Sequence, residues 1–264
     1  MSKQSLSFGV PIVWLCTLAL LLGLGCASSG RKAEDELRLR RANSHFNLGL
    51  DYIRNDRIAL AIRELLFAEE LDPKNPRIHQ ALADAYVMRG KPVEAEQHYL
   101  LTLKIDPTIH EARLNLSSLY NQLDRYEESL VYASMLADDA TFSGPWRALA
   151  NKGFAEYQLG RVEEARNSLR LALEYRSDYW PTLLYLGILE MEEGRQREAI
   201  GLFQQVLELD PALAIQAQAN YRIGEIYIAL GKRQRAIGHL QAAVAQTPGG
   251  PWGVRSEEYL KLLR

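Results

Sequence analysis

Cysteine is almost absent from this sequence, and the position of the few cysteines excludes two kinds of stabilising site. The chain of 264 residues contains two cysteines, Cys16 and Cys26, and both lie before residue 27. The residues that follow can therefore form neither an internal disulfide nor a cysteine zinc site. A folded body built from them has to be stabilised by the packing of its side chains.

The sequence also lacks a strong charge of either sign. Its formal net charge is −2 at pH 7, from 31 basic and 33 acidic residues. Such a chain has no broad positive field to attract nucleic acid or an anionic bilayer, so we expect no nucleic-acid partner. The hydrophobic content of 47% is that of an ordinary globular protein.

Catalytic signatures are missing as well. The histidines show no HExxH spacing, and no glycine-rich phosphate-binding loop occurs. The acidic pairs Glu127-Glu128 and Glu163-Glu164 lie at the predicted start of a helix, where the helix dipole favours negative charge. We therefore predict that the chain is not an enzyme, with no catalytic residues, no metal and no cofactor.

The first 26 residues carry the features of an export signal. Lys3 gives a thin positive region, and residues 10–22 form an uncharged, almost wholly apolar run. Thirteen residues suit a signal-peptide core better than a spanning helix, which needs about 20. Gly25-Cys26 then resembles the bacterial lipobox, although Gly23 stands where leucine is usual.

From these features we predict a signal peptide over residues 1–25 and a diacylglycerol with a further acyl chain on Cys26. Residues 27–30 are small and polar, which is typical of a tether. By analogy with enterobacterial sorting, Ala27 favours the outer membrane. An ordinary signal peptide or an uncleaved anchor is the alternative.

The rest of the chain repeats one pattern. A small residue recurs with spacings of 34, 34, 36, 34 and 37, at Gly49, Ala83, Ser117, Gly153, Gly187 and Gly224. An alanine or serine follows each of them twelve positions later, and an aromatic residue lies three positions after four of them. A period of about 34 residues is typical of the tetratricopeptide repeat (TPR), in which each unit is a pair of helices.

Turn residues divide each unit into its two helices. The residues at this position are Asp56, Gly90, Asp124, Gly160, Gly194 and Gly231. Glycine enters the left-handed helix cap without penalty, and aspartate tolerates turn geometry better than most residues. Units end at pairs such as Asp72-Pro73 and Asp106-Pro107, where proline stops a helix.

These patterns predict an all-α fold, a right-handed superhelical solenoid of six TPR helix-turn-helix units. The units are expected at about residues 42–75, 76–109, 110–145, 146–179, 180–216 and 217–250. Residues 26–41 would contain the lipidated cysteine, the tether and a leading helix. Residues 251–264 would form a capping helix with Trp252 beneath it, because a solenoid needs covered ends.

First-helix side chains at fixed unit positions face the inner groove of such arrays and are the candidate partner-binding residues. They are Phe46, Asn47, Leu50, Ile53, Gln80, Asp84, Val87, Leu114, Asn115, Asn121, Asn151, Phe154, Tyr157, Tyr185, Ile188 and Tyr221. Amides at a shared unit position can bond an extended peptide backbone, and aromatic anchors dominate many interfaces. The alternative is that some of these residues belong to the core between repeats.

The connector before the fourth unit is longer than the others. It offers Phe142, expected to be exposed, beside Pro145 as a candidate contact loop. A tolerated surface insertion is the alternative.

Together, the lipobox, the six units and the lengthened junction resemble the pilotin lipoproteins of type IV pili (the PilF/PilW/Tgl group). The resemblance is closest from Asp124-Arg125-Tyr126-Glu127-Glu128-Ser129 through Ala140-Thr141-Phe142 and Pro145 to Ala150-Asn151-Lys152-Gly153. It implies an outer-membrane lipoprotein, monomeric by itself and facing the periplasm. Such a protein binds secretin subunits and promotes their localisation and multimerisation.

Phe46, Leu50 and Ile53 would place an apolar patch near the membrane tether, which favours the first three units as the secretin contact. The alternative function is a scaffold of another envelope assembly. Such a scaffold would serve outer-membrane protein insertion, peptidoglycan hydrolase regulation or an exporter.

Overall fold

The computed structural model describes the backbone of residues 12–263 and the side chains of residues 31–263. The described residues form thirteen α-helices and no strand, which confirms the all-α prediction. The predicted signal peptide and the side chain of Cys26 lie outside this description, so the lipid anchor stays a prediction. In the part of the chain that is described, no helix is long and apolar enough to cross a membrane.

The chain divides into two compact units between Asp106 and Pro107. The first unit contains α1 (Ile12–Arg54), α2 (Ile58–Leu71), α3 (Pro76–Met88) and α4 (Pro92–Ile105). The second contains α5 (His110–Gln122), α6 (Tyr126–Ala137), α7 (Pro145–Gln158), α8 (Val162–Tyr175), α9 (Trp180–Glu192), α10 (Gln196–Glu208), α11 (Leu213–Ala229), α12 (Arg233–Gln246) and α13 (Pro251–Leu262). The backbone of residues 27–30, the predicted tether, belongs to α1.

Consecutive helices pack as pairs, so that α1 with α2 and α3 with α4 form two repeats in the first unit. In the second unit the pairs are α5 with α6, α7 with α8, α9 with α10, and α11 with α12. We call the odd-numbered member of each pair the first helix and the even-numbered member the second helix. The first helix of the last repeat, α11, has 17 residues, whereas α9 has 13. The three residues added at the junction before this repeat therefore lengthen its first helix.

The six predicted turn residues all adopt the left-handed conformation, with φ between 55° and 77°. In the fourth repeat, the N–H of Gly160 donates to the carbonyl of Tyr157 and that of Arg161 to the carbonyl of Glu156, each at 2.9 Å. These two bonds are the pattern of a Schellman cap, which satisfies carbonyls left open at the end of the first helix. The cap returns the chain into the second helix.

In the four repeats whose recurring small residue is glycine, this residue meets a large side chain sixteen positions later on the second helix. A Cβ placed on Gly49, Gly153 or Gly224 would lie 2.7–2.8 Å from the side chain of Leu65, Leu169 or Leu240, respectively. On Gly187 it would meet the ring of Phe203 at 2.7 Å. The repeat period therefore reflects a close helix approach inside each pair.

We expect Gly187→Ala to lower the free energy of unfolding by about 1–3 kcal/mol, because the buried Phe203 ring has to move. Gly201, on α10, has nothing within 4 Å of the added Cβ. Gly201→Ala should instead stabilise the protein by about 0.5–1 kcal/mol through helix propensity. Urea unfolding followed by circular dichroism separates the two variants. Equal effects at the two sites would contradict the close-approach explanation.

The last helix packs onto the sixth repeat. Trp252 and Tyr259 of α13 pack against a buried cluster that includes Tyr221 and Leu240. The rings of Tyr221 and Trp252 lie 5.3 Å apart, and α13 contacts both α11 and α12. This helix thus covers apolar surface that the last pair would otherwise expose.

Candidate protein-binding interface

The first helices of each unit lie beside one another. In the second unit α5, α7, α9, α11 and α13 contact each other in that order, and in the first unit α1 contacts α3. Within each compact unit, side chains on these helices that are not used in packing therefore share a surface, which we call the first-helix face of that unit. The predicted groove residues are distributed over this face and the core beneath it.

In the first unit the predicted apolar patch is part of the core. Phe46 is buried, and Leu50 and Ile53 pack against the same cluster, which includes Ile78 and Leu82 of the next repeat. The prediction that Phe46 is open to a partner was therefore wrong, whereas Leu50 and Ile53 are half-buried and their contact with a secretin stays a prediction. The side chains are too large to leave the space between neighbouring first helices unfilled, so the next repeat covers them.

The other groove residues predicted in the first unit also keep accessible surface. Asn47 is exposed, and Gln80 and Val87 are half-buried. Asp84 accepts a hydrogen bond from the hydroxyl of Tyr99 at 2.5 Å, which ties α3 to α4. Asp84 therefore contributes to the packing of its own repeat as well as to the surface.

Two of the predicted asparagines bond neighbouring repeats instead of presenting their amides to a partner. The amide of Asn151 donates to Ser117 Oγ at 2.8 Å and to the carbonyl of Leu114 at 3.4 Å. The amide of Asn121 donates to the backbone carbonyl of Asn151 at 3.0 Å. These bonds link α5 to α7, so the prediction of a free amide at Asn151 was wrong.

The predicted aromatic residues of the second unit form contacts along the first helices. The rings of Phe154 on α7 and Tyr185 on α9 lie 4.6 Å apart. Ile188 packs against the hydrophobic core of the second unit. The hydroxyl of Tyr157 donates to Glu192 at 2.5 Å. Burial, and then the Glu192 carboxylate, raise the pKa of Tyr157, so this hydroxyl stays a donor at physiological pH.

Tyr221 belongs to the base of the face rather than to its surface. Its ring is buried against Trp252, and its hydroxyl donates to Glu225 at 2.8 Å. Burial, and then this carboxylate, raise the pKa of Tyr221. Leu114, also predicted as a groove residue, is likewise buried.

The connector between α6 and α7 does not present Phe142 to solvent. Phe142 is buried in a cluster with Leu114, Leu136 and Ala148, and its ring lies edge-on to His110 at 5.5 Å. The prediction of an exposed contact loop at Phe142 was wrong, because the ring fills the space that the longer connector opens. Pro145, half-buried, begins α7.

A cleft of about 100 Å³ opens on the first-helix face of the second unit. It is lined by Leu114, Asn115, Ser118, Arg147, Asn151 and Tyr179. Its volume is below that of cofactor pockets, roughly 300–1,000 Å³, and suits a single side chain of a protein partner. Amide, hydroxyl and guanidinium groups around an apolar floor can hold such a side chain by its polar end.

Arg147 and Tyr179 of this cleft were not among the predicted residues. Arg147 makes a two-pronged salt bridge to Glu111, at 2.8 and 3.1 Å, which holds it at the rim. Burial raises the pKa of Tyr179, against the opposing effects of Arg147 and Arg176. Tyr179 precedes α9, outside the first-helix positions, so the repeat frame gave no signal for it.

Among the described residues, one group of side chains that can ligate a metal comes together in the first unit. Glu69, His79 and His98 place their ligand atoms within 4.8 Å of one another. The sequence contains no short metal-binding motif such as HExxH, so these residues were not predicted as ligands. These three residues come from three different helices.

The repeat pattern matches a known family. The family model described as Tetratricopeptide repeat matches residues 46–108, 151–214 and 184–251, together more than half of the chain. The chain is a tetratricopeptide repeat protein. TPR repeats mediate protein–protein interactions, which supports the predicted protein partner.

Two solved structures share the fold of this TPR protein over most of its length. PilW, described as a widely conserved type IV pilus biogenesis factor, has a TM-score of 0.71 and 24% identity, over 81% of this chain and 97% of its own. PilF of Pseudomonas aeruginosa has a TM-score of 0.69 and 18% identity, over 84% of this chain and 99% of its own. At these identities the likeness shows the fold alone.

Two longer proteins share parts of the TPR sequence. The human protein O-mannosyl-transferase TMTC2 is 31% identical over 112 residues, which are 40% of this chain and 13% of that protein. The TPR repeat-containing protein YpiA of Bacillus subtilis (strain 168) is 25% identical over 205 residues, which are 64% of this chain and 48% of YpiA. This TPR protein thus spans less than half the length of either relative.

Proposed function

We propose that this TPR protein is an outer-membrane lipoprotein, anchored through Cys26 and facing the periplasm. It binds the secretin subunits of a type IV pilus and promotes their multimerisation. The observation that carries the proposal is the structural match to PilW, which extends over 97% of that chain and 81% of this one. The resemblance of Gly25-Cys26 to a lipobox supports attachment to the membrane.

The mechanism is stoichiometric binding rather than catalysis. The rigid first-helix face of the second unit presents the cleft between α5 and α7, and a secretin side chain occupies it. The lipid anchor raises the local concentration of the complex at the membrane where the secretin ring assembles. A preformed cleft keeps the entropic cost of this binding low.

Loss of the gene is expected to abolish heat-resistant secretin multimers in outer-membrane fractions and to leave secretin monomers. The measurement is electrophoresis of those fractions without boiling, followed by detection of the secretin. Multimers at wild-type abundance would contradict the proposed function. Crosslinking of the intact cell envelope would then identify another client, such as an outer-membrane insertion machine, a peptidoglycan hydrolase or an exporter.

Ser118→Arg tests the cleft itself. Ser118 is half-buried at its lining, so an arginine there fills the cleft without replacing a core residue. We expect secretin binding to weaken at least tenfold, which is about 1.4 kcal/mol. Asn167→Arg introduces the same side chain at an exposed position of α8 and should leave binding unchanged. Equal binding by the two folded variants in a pull-down titration would remove the cleft from the interface.

A further inference from the structure

The Glu69, His79 and His98 cluster lies in the first unit, where α2, α3 and α4 meet. His79 Nδ1 lies 3.3 Å from His98 Nδ1. Glu69 Oε1 lies 3.3 Å from His79 Nδ1 and 3.8 Å from His98 Nδ1. Three potential ligand atoms therefore surround one point.

A backbone contact sets the orientation of His79. Its Nε2 lies 2.9 Å from the carbonyl oxygen of Pro73. Because a carbonyl only accepts, Nε2 carries the proton, and Nδ1 directs a lone pair at the other two groups. Metal-binding histidines are commonly held in this way, by a hydrogen bond from the other ring nitrogen. The side chain is 4% exposed, so the surrounding repeat restricts its rotation.

Without a cation, these groups oppose one another. The lone pair of His79 Nδ1 faces the carboxylate of Glu69 as well as the ring nitrogen of His98. If His98 Nδ1 carries a proton, it can donate a hydrogen bond to His79 Nδ1. The Glu69 carboxylate then still faces the acceptor atom His79 Nδ1. A cation at the centre is attracted by all three.

The spacing of the ligand atoms fits a tetrahedral ion. Zinc bonds of about 2.0–2.2 Å separate neighbouring tetrahedral ligand atoms by about 3.3–3.5 Å. A square-planar ion would require separations of about 2.9 and 4.1 Å. Two of the three observed separations are 3.3 Å, and a small rotation of the Glu69 carboxylate would shorten the third, 3.8 Å.

We propose that Glu69, His79 and His98 form a binding site for one zinc ion, with water as the fourth ligand. Glu69 and His98 are 26% and 13% exposed, so water reaches the open position. The ion joins the second helix of the first repeat to both helices of the second repeat. It therefore stabilises the first unit against unfolding.

The repeats supply a matched control. In three repeats, a side chain of the first helix contacts the residue nineteen positions later on the second helix, and His79 with His98 is one such pair. In the sixth repeat, His239 occupies the position of His98, but its Nδ1 lies 2.8 Å from Oδ1 of Asn220. His239 thus has the same helix position and a similar ring environment without a second histidine.

The test measures zinc binding to the full chain purified in detergent and stripped with a chelator. Competition with a chromophoric zinc chelator should show one tight site per chain. His98→Gln and Glu69→Gln should each weaken it at least tenfold, while His239→Gln should keep wild-type affinity. Zinc should raise the melting temperature of the wild type and of His239→Gln only, and X-ray absorption should show two imidazoles on the ion.

The proposal is overturned if the wild type binds zinc no more tightly than His98→Gln. The three side chains would then be a hydrogen-bonded cluster that shares a proton. Equal weakening by His239→Gln would also overturn it, because that result indicates adventitious binding that involves any histidine of the chain. Circular dichroism confirms that each variant is folded before titration.

Discussion

Replacement of Glu190 by alanine is expected to lower the free energy of unfolding by about 3–5 kcal/mol. Glu190 lies on α9 with no exposed side-chain surface, and it accepts a hydrogen bond from Nε of Arg166 at 3.0 Å. It also pairs with Arg195, and Nη2 of Arg170 is 3.6 Å away. One buried carboxylate therefore interacts with three arginines.

The cost of the substitution comes mainly from the arginine left behind. Arg166 is 8% exposed and joins α8 to α9 through Glu190. Its remaining partners are Glu163 and, at 3.8 Å, Glu193, both of which are substantially exposed. Removing one partner of a buried ion pair leaves an uncompensated charge in a poorly solvated site, which costs more than the pair contributes.

Urea unfolding followed by circular dichroism measures this loss. Glu193→Ala is the matched control, since it removes an exposed partner of the same arginine and should cost less than about 1 kcal/mol. The double variant Arg166→Met with Glu190→Leu should recover most of the loss, because it removes both charges together. Equal losses for Glu190→Ala and Glu193→Ala would show that the buried pair has no special role.

Cys26→Ala is expected to move all of the protein from the membrane fraction to the soluble periplasmic fraction and to abolish acylation. Each buried methylene of an acyl chain contributes about 0.8 kcal/mol to membrane binding, so several chains give a firm anchor. Without them, the proposed function loses the local concentration of the complex at the membrane. Secretin multimers should then fall even though the TPR repeats remain folded.

Cys16→Ala is the control for the anchor. Cys16 is the other cysteine of the chain and lies inside the predicted signal peptide, so its loss should change neither acylation nor fractionation. Incorporation of labelled palmitate and cell fractionation measure both. Acylation that persists in Cys26→Ala would contradict the lipobox and favour an uncleaved anchor.

The repeat architecture could be predicted from the sequence because its constraints are local. Asp124 and Gly160 stand where the chain needs a positive φ, and few residue types tolerate that conformation. Gly187 stands where its own second helix leaves no room for a Cβ. Both constraints act within one helix pair, so they recur with the period and are visible as a pattern of residue types.

The candidate interface was predicted less well, because it depends on contacts between repeats. Asn115 and Asn151 occupy the same position in successive repeats and both line the cleft, but the amide of Asn151 also bonds Ser117 of the neighbouring repeat. Phe142 was interpreted as exposed because it lies in a connector, and it is buried because the connector folds over α5 and α6. A position in the repeat frame does not determine which neighbour covers a side chain.

The period, the turns and the all-α class could all be predicted from residue types alone. Each of them depends on the conformational range or the size of a residue within its own repeat. Tertiary structure alone decided which first-helix residues are accessible. It also decided that Glu69, His79 and His98 meet. The reason is that side chains from different helices share a site only when the packing between repeats brings them there, and that packing depends on the sizes of all its members.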